Sequence, residues 1–176
     1  MHKRLTKIDD IKSARSQGVF FDANVLIYIF WSVFDKNNPM VPRYSSIYKF
    51  LIKENIPMFT SCIVLSEVIN RILRLEYTNI GSSKPFKEFR NSSEGKQIQE
   101  EIFAIIKNQI FSVFTIQDVC FTVEQLHHLL KADNIDFNDK IIVEICKAHN
   151  MILLTNDVDF YHTSIDILSR NHELCS

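Results

Sequence analysis

Neither sign of charge prevails in this sequence: 20 Lys and Arg stand against 21 Asp and Glu, for a net charge of −1. A protein so balanced does not coat nucleic acid as a polycation, so any nucleic-acid site must be a local patch. The four cysteines, Cys62, Cys120, Cys146 and Cys175, form no C-x-x-C pair and no Cys/His spacing that would build a zinc site. Without an export signal, free thiols in a reducing cytoplasm are expected. The basic opening, "MHKRLTKIDDIKSARSQG", is followed by no apolar stretch of secretory type. The longest apolar run, residues 19–34, is interrupted by Asp22, Asn24 and Ser32 and is too short for a bilayer, so no membrane association is expected. Internal repeats and low-complexity tracts are lacking too. What remains is an ordinary globular composition, 46% hydrophobic and 23% charged over 176 residues, from which a single domain over residues 1–176 is expected.

The segment "GVFFDANVLIYIFW", residues 18–31, sets an acid and an amide among residues suited to a core. Residues 19–21 read as a short, fully apolar strand and residues 25–31 as the helix that follows. Helical spacing marks residues 43–55, 63–75, 96–109 and 122–131, and "DFNDKIIVEICKAHN" opens a further helix. Strands are predicted at "IPMFTS", residues 111–116, "MILLT" and "IDILS". Residues 78–95 carry two of the three glycines with many serines and charges, and read as a loop or insertion. The His127–His128 pair reads as surface histidine rather than a metal ligand. Short apolar strands alternating with helices predict an α/β fold: a central, mainly parallel sheet covered on both faces.

In such sheets ligands bind beyond the carboxyl ends of the strands. Asp22 directly follows the first strand, Asp157 follows "MILLTN", Asp139 opens the helix before that strand, and Glu67 lies in the first two turns of the helix after "MFTS". Each acid has a plain structural alternative. Asp139 can serve with Asp136 as a helix cap, while Lys140, Glu144 and Lys147 make that helix's wet stripe and Asp139 lines up with the apolar Ile142, Val143 and Cys146. Glu67 can pair with Arg71 one turn on, on a solvated face. Asp22 can cap the helix it precedes, and "TNDVDF" can be a turn rich in Asn and Asp. One cause would unite all four: a hard divalent cation, which takes oxygen ligands and would hold Asp22 ionised near the core.

Three segments, "FFDANVLIYIF", "SCIVLSEVINRIL" and "DFNDKIIVEICKAHNMILLTNDVDF", occur in an order that resembles the PIN-domain ribonucleases, particularly the VapC-like toxins of toxin-antitoxin pairs. The last is the most specific, joining an acid at a helix start to a strand that ends in T-x-D-x-D-F. The resemblance implies a doubly wound α/β/α sandwich. It implies divalent-metal-dependent hydrolysis of RNA phosphodiesters with Mg²⁺ or Mn²⁺, and frequent homodimers with an antitoxin partner. It places the acidic set on Asp22, Glu67, Asp139 and Asp157, with Asp159 as a substitute for Asp157 and with Asn24 and Thr155 as buttresses. Three features depart from the compact toxins: an N-terminal extension over residues 1–17, an insertion over residues 78–100, and Lys140 where a small residue is usual.

Between residues 71 and 90 five basic residues, Arg71, Arg74, Lys84, Lys87 and Arg90, face two acids, whereas residues 131–160 hold three basic and six acidic ones. An acidic pocket beside a basic arm suits a metal nuclease, with Arg71 and Arg74 as candidate RNA-binding residues. A solvated loop explains the basic arm equally well. Other readings are a housekeeping RNA-processing nuclease and a non-catalytic scaffold that binds RNA or protein. A phosphatase of the haloacid dehalogenase type, which resembles D-x-D-x-T, would need its second Asp where Asn24 stands.

Overall fold

Val19, Phe20 and Phe21 are each fully buried. Successive side chains of a strand point to opposite faces, so three buried in a row require cover on both. In the computed structural model, which describes residues 4–5, 17–31 and 37–175, these residues form strand β2 (Val19–Phe21). It lies within a six-stranded sheet with β1 (Arg4–Leu5), β3 (Met58–Thr60), β4 (Thr115–Ile116), β5 (Ile152–Leu154) and β6 (Ile167–Leu168). The order is β1-β6-β5-β2-β3-β4, and every pair is parallel. Helices α1 (Ala23–Phe30) and α2 (Met40–Lys53) lead from β2 to β3; α3 (Cys62–Ile80), α4 (Phe86–Asn91) and α5 (Ser93–Ile105) lead to β4. The chain then returns through α6 (Val123–Leu129) and α7 (Phe137–His149) to β5 on the other side of β2. With crossovers of the usual right hand, outward and return helices fall on opposite faces, which makes the doubly wound α/β/α sandwich.

An aromatic cluster packs one face. Phe21 meets the Phe114 ring edge-on at 4.8 Å, and Tyr48 stacks on Phe114 at 6.3 Å and lies edge-on to Phe30 at 5.5 Å. Phe21 and Phe114, both buried, each contribute on the order of 2 to 3 kcal/mol through area removed from water. Tyr44 is fully buried, and its hydroxyl lies within hydrogen-bonding distance of the Thr155 carbonyl and Asn156 Oδ1, both at 3.0 Å.

Several predicted elements shift. Helix α1 begins at Ala23, two residues before the apolar run suggests, because Asp22 caps it. The segment 78–95 is largely helical rather than a loop: α3 continues to Ile80, ends on Gly81 in the left-handed region (φ 66), and α4 and α5 follow. Its polar composition hides two anchors, Phe86 and Phe89, whose rings lie 5.5 and 5.2 Å from that of Tyr77. The strand expected over residues 111–116 shrinks to Thr115–Ile116, because α5 runs on through a π-turn, Ile106–Ile110, and the Phe111 amide bonds back to the Ile106 carbonyl. Of the extension over residues 1–17, Arg4–Leu5 joins the sheet as an edge strand against β6, while residues 1–3 and 6–16 lie outside the described residues. The Arg4 guanidinium fastens that strand by donating to the carbonyls of Ile165, Tyr161 and Thr163.

Gly95 marks the tightest approach of the helical segment. A Cβ there would overlap the Phe89 carbonyl oxygen and lie 2.9 Å from Arg90 Cα, and backbone cannot yield as a flexible side chain can. Gly95→Ala is therefore expected to cost roughly 3 kcal/mol in urea unfolding. Gly81→Ala, where nothing lies within 4 Å, should cost only about 1 kcal/mol, for its left-handed φ. Equal losses in the two variants would refute the close packing of α4 on α5.

Candidate active site

The strand order reverses at β2, which has β3 on one side and β5 on the other, so a crevice opens at its carboxyl end. Asp22 sits at that end and is 4% exposed. Its Oδ1 accepts the Ala23 amide at 2.6 Å, and its Oδ2 accepts the Asn24 side-chain amide and the Thr155 hydroxyl, each at 2.6 Å. The same hydroxyl receives the Asp157 amide at 3.0 Å, and Asn24 Oδ1 receives the Asn156 amide at 3.1 Å. The first strand's acid is thus laced to the chain leaving β5. Helix capping and buttressing both hold for Asp22, and its negative charge has protein partners without any cation.

Burial nevertheless raises the Asp22 carboxyl to about 6. The Thr155 and Ala23 hydrogen bonds pull it back, and the charges of Glu67 and Asp157 push it further up. Asp139, half-buried in the first turn of α7, rises to about 8: burial is the largest cause, followed by the charges of Asp136, Asp22, Asp157 and Glu67. The structure therefore brings Asp22, Glu67, Asp139 and Asp157 within electrostatic reach of one another.

The remaining acids and bases divide. Asp136 caps α7, accepting the Asp139 amide at 2.9 Å. Glu67 makes the i, i+4 pair with Arg71 at 3.1 Å. Asp159 is exposed and offers its backbone amide to Asp157 at 3.1 Å; its charge is not among those acting on Asp22 or Asp139. Arg74 lies over the Phe86 ring, 4.3 Å from its centroid, so it packs on α4. Arg71, by contrast, borders a cavity of about 340 Å³ together with Asn24, Tyr28 and Asp157. Lys140 does not belong to a wet stripe: it is largely buried, pairs with Asp133 at 2.8 Å and donates to the carbonyls of Leu129 and Lys131. Both His127 and His128 are exposed.

An all-carboxylate donor set has the chemistry that hard divalent ions prefer. Yet among the described residues no three His, Cys, Asp or Glu side chains are gathered closely enough to hold an ion, with Glu67 on Arg71 and both Asp22 oxygens bonded. Two residues that the sequence does not single out complete the site. Tyr44 reads there only as one apolar position of α2, and Asn156 as a turn residue, but the Tyr44 hydroxyl lies 3.0 Å from Asn156 Oδ1 and steadies the loop after β5.

Acids gathered where the strand order of a doubly wound sheet reverses define the architecture's class, and comparison with known proteins gives the family. The chain belongs to the PIN domain family, which matches residues 19–166. Among solved structures it is similar to VapBC2 from Rickettsia felis bound to a DNA fragment from its promoter, with a TM-score of 0.50 and 19% identity over 87% of this chain and 98% of that one. At that identity the likeness is one of fold. No curated protein matches the chain.

The raised carboxyls set a pH dependence. An acid whose folded value exceeds its ordinary 3.8 adds stability below that value and loses it as pH rises through the folded one. In chelator, melting temperature should fall from about pH 4 through about pH 8, with Asp139 alone contributing above about pH 6. Asp139→Asn should flatten the part of the fall above pH 7 and melt no lower than the parent at pH 8. Superimposable pH profiles for parent and variant would remove Asp139 from the charged cluster.

Proposed function

We propose that the chain is a divalent-metal-dependent endoribonuclease acting as the toxin of a toxin-antitoxin pair. The observation that carries the proposal is the convergence of acids at the carboxyl edge of β2, where the charges of Glu67 and Asp157 act on both Asp22 and Asp139, in a PIN domain. These four residues would hold Mg²⁺ or Mn²⁺, and Asp159 stands aside from them. When bound, the cation would lower the pKa of a coordinated water and neutralise phosphate charge.

The chain's own residues orient and balance that site. Asn24 and Thr155 fix the Asp22 carboxylate. Asp139, whose carboxyl burial and the neighbouring acids raise, would supply an anionic oxygen to the ion. Arg71, paired with Glu67 but half exposed, keeps guanidinium N–H groups for an RNA phosphate at the cavity it borders. No side-chain nucleophile is required. The fold likeness to VapBC2 supports an antitoxin partner, and a homodimer and a cytoplasmic site of action complete the reading. No helix among the described residues is long and apolar enough to cross a membrane.

Asp139→Asn and Asp157→Asn should each abolish cleavage of RNA that depends on Mg²⁺ or Mn²⁺, with circular dichroism unchanged. Full activity in either variant would overturn the metal-site assignment. RNA binding by the parent without any divalent-dependent cleavage would instead identify a non-catalytic scaffold. Arg71→Ala should weaken RNA binding and reduce the salt slope by about 0.7, the share of one phosphate contact on a single strand. Arg74→Ala, whose guanidinium packs on Phe86, should change that slope less.

A further inference from the structure

Beside the carboxylates lies an aromatic surface that the chemistry above does not use. Tyr28 stands one turn beyond Asn24 on α1, half-buried. Its ring stacks on that of Tyr44, with centroids 5.7 Å apart and planes 17° from parallel. Tyr44 is itself fully buried, and its hydroxyl meets the Thr155 carbonyl, Asn156 Oδ1, Ser169 Oγ and the Arg170 amide. Tyr28 is thus backed by an immobile ring and loses little freedom on meeting a ligand. Tyr28 lines the cavity of about 340 Å³ that Asn24, Arg71, Asn156, Asp157 and Asn171 also border. That size falls within the roughly 300–1,000 Å³ range of small-ligand sites.

We infer that Tyr28 is the stacking platform of a nucleobase subsite, taking one unpaired base of a single-stranded RNA whose neighbouring phosphate lies toward Arg71 and Asp157. The inference deepens the ribonuclease reading and rests on it for the placement of that phosphate. Base stacking on an aromatic ring needs a free π-face, which a base within a duplex does not offer. Base identity is read weakly, because two of the bordering amides are engaged at both ends within the protein. Asn171 donates to the Asn156 carbonyl at 2.9 Å and accepts the Glu173 amide at 3.1 Å. Asn24 donates to Asp22 and accepts the Asn156 amide.

The test uses the whole chain in chelator, so that binding is read without cleavage. The probe is a short single-stranded RNA carrying one 5-iodouridine, alone or annealed to its complement. The parent should bind the single strand, and long-wavelength irradiation should cross-link it to Tyr28. Tyr28→Phe keeps the ring and should retain the dissociation constant within about two-fold. Tyr28→Leu should weaken single-strand binding about ten-fold, the loss of one stacked base, with little change for the duplex. If Tyr28→Leu melts early through loss of its support on Tyr44, the site of the cross-link and the binding of Tyr28→Phe decide alone. A cross-link mapped elsewhere, an unchanged constant in folded Tyr28→Leu, or failure of the parent to bind single-stranded RNA would each overturn the subsite. Absence of metal-dependent cleavage with the cross-link intact would overturn only the nuclease reading.

Discussion

The structure depends on one carboxylate held where an acid is costly. Asp22 ends the central strand, its neighbours on the strand are fully buried, and its own oxygens receive a backbone amide, a side-chain amide and a hydroxyl. Unmet, a buried carboxylate would take up a proton or disrupt the core. Met in this way, it starts α1, fixes the loop after β5 and ties adjacent strands together at their carboxyl ends. The arrangement also accounts for Thr155, which is fully buried and bonds to Asp22 as well as to the Asp157 amide.

From that anchor the electrostatics of the crevice follow. Glu67 on α3 and Asp157 after β5 both act on Asp22, and both act again on Asp139 at the start of α7. Three crossovers therefore deliver negative charge to one place, and the fold tolerates it by different means at each residue. Asp22 has hydrogen bonds, Glu67 has Arg71, and the Asp139 carboxyl is raised toward its neutral form.

Strand placement and the rise of the acids toward one edge were legible in the sequence because they follow from short-range pattern. An apolar triplet before Asp22 and the run before Asp157 can only be buried strands, and the helix they alternate with carries Asp139 off its polar stripe. Less visible were features set by contacts distant in sequence. The hydroxyl of Tyr44 reaches Thr155 across 111 positions, and periodicity reports only that position's apolar side. Segment 78–95 looked like a loop because its serines and charges outnumber Phe86 and Phe89, although one of those serines, Ser92, caps α5. Lys140 followed the helical stripe on paper, yet the chain between α6 and α7 folds over it and supplies carbonyl partners. Arg74 shows the same limit, since charge counting cannot register that a guanidinium lies on an aromatic ring.

The edge strand Arg4–Leu5 has a consequence for how the molecule is made. It pairs with β6, and Arg4 reaches the Ile165 carbonyl across 161 positions of the chain, so this short strand finds its place only once the long stretch between them is there to fold. Until then β6 presents an open row of amides and carbonyls, the kind of margin on which foreign strands add and aggregates grow. Closing it is among the most non-local and therefore slowest events that this topology demands. Two paired residues with one guanidinium thus cover the margin on which foreign strands would add.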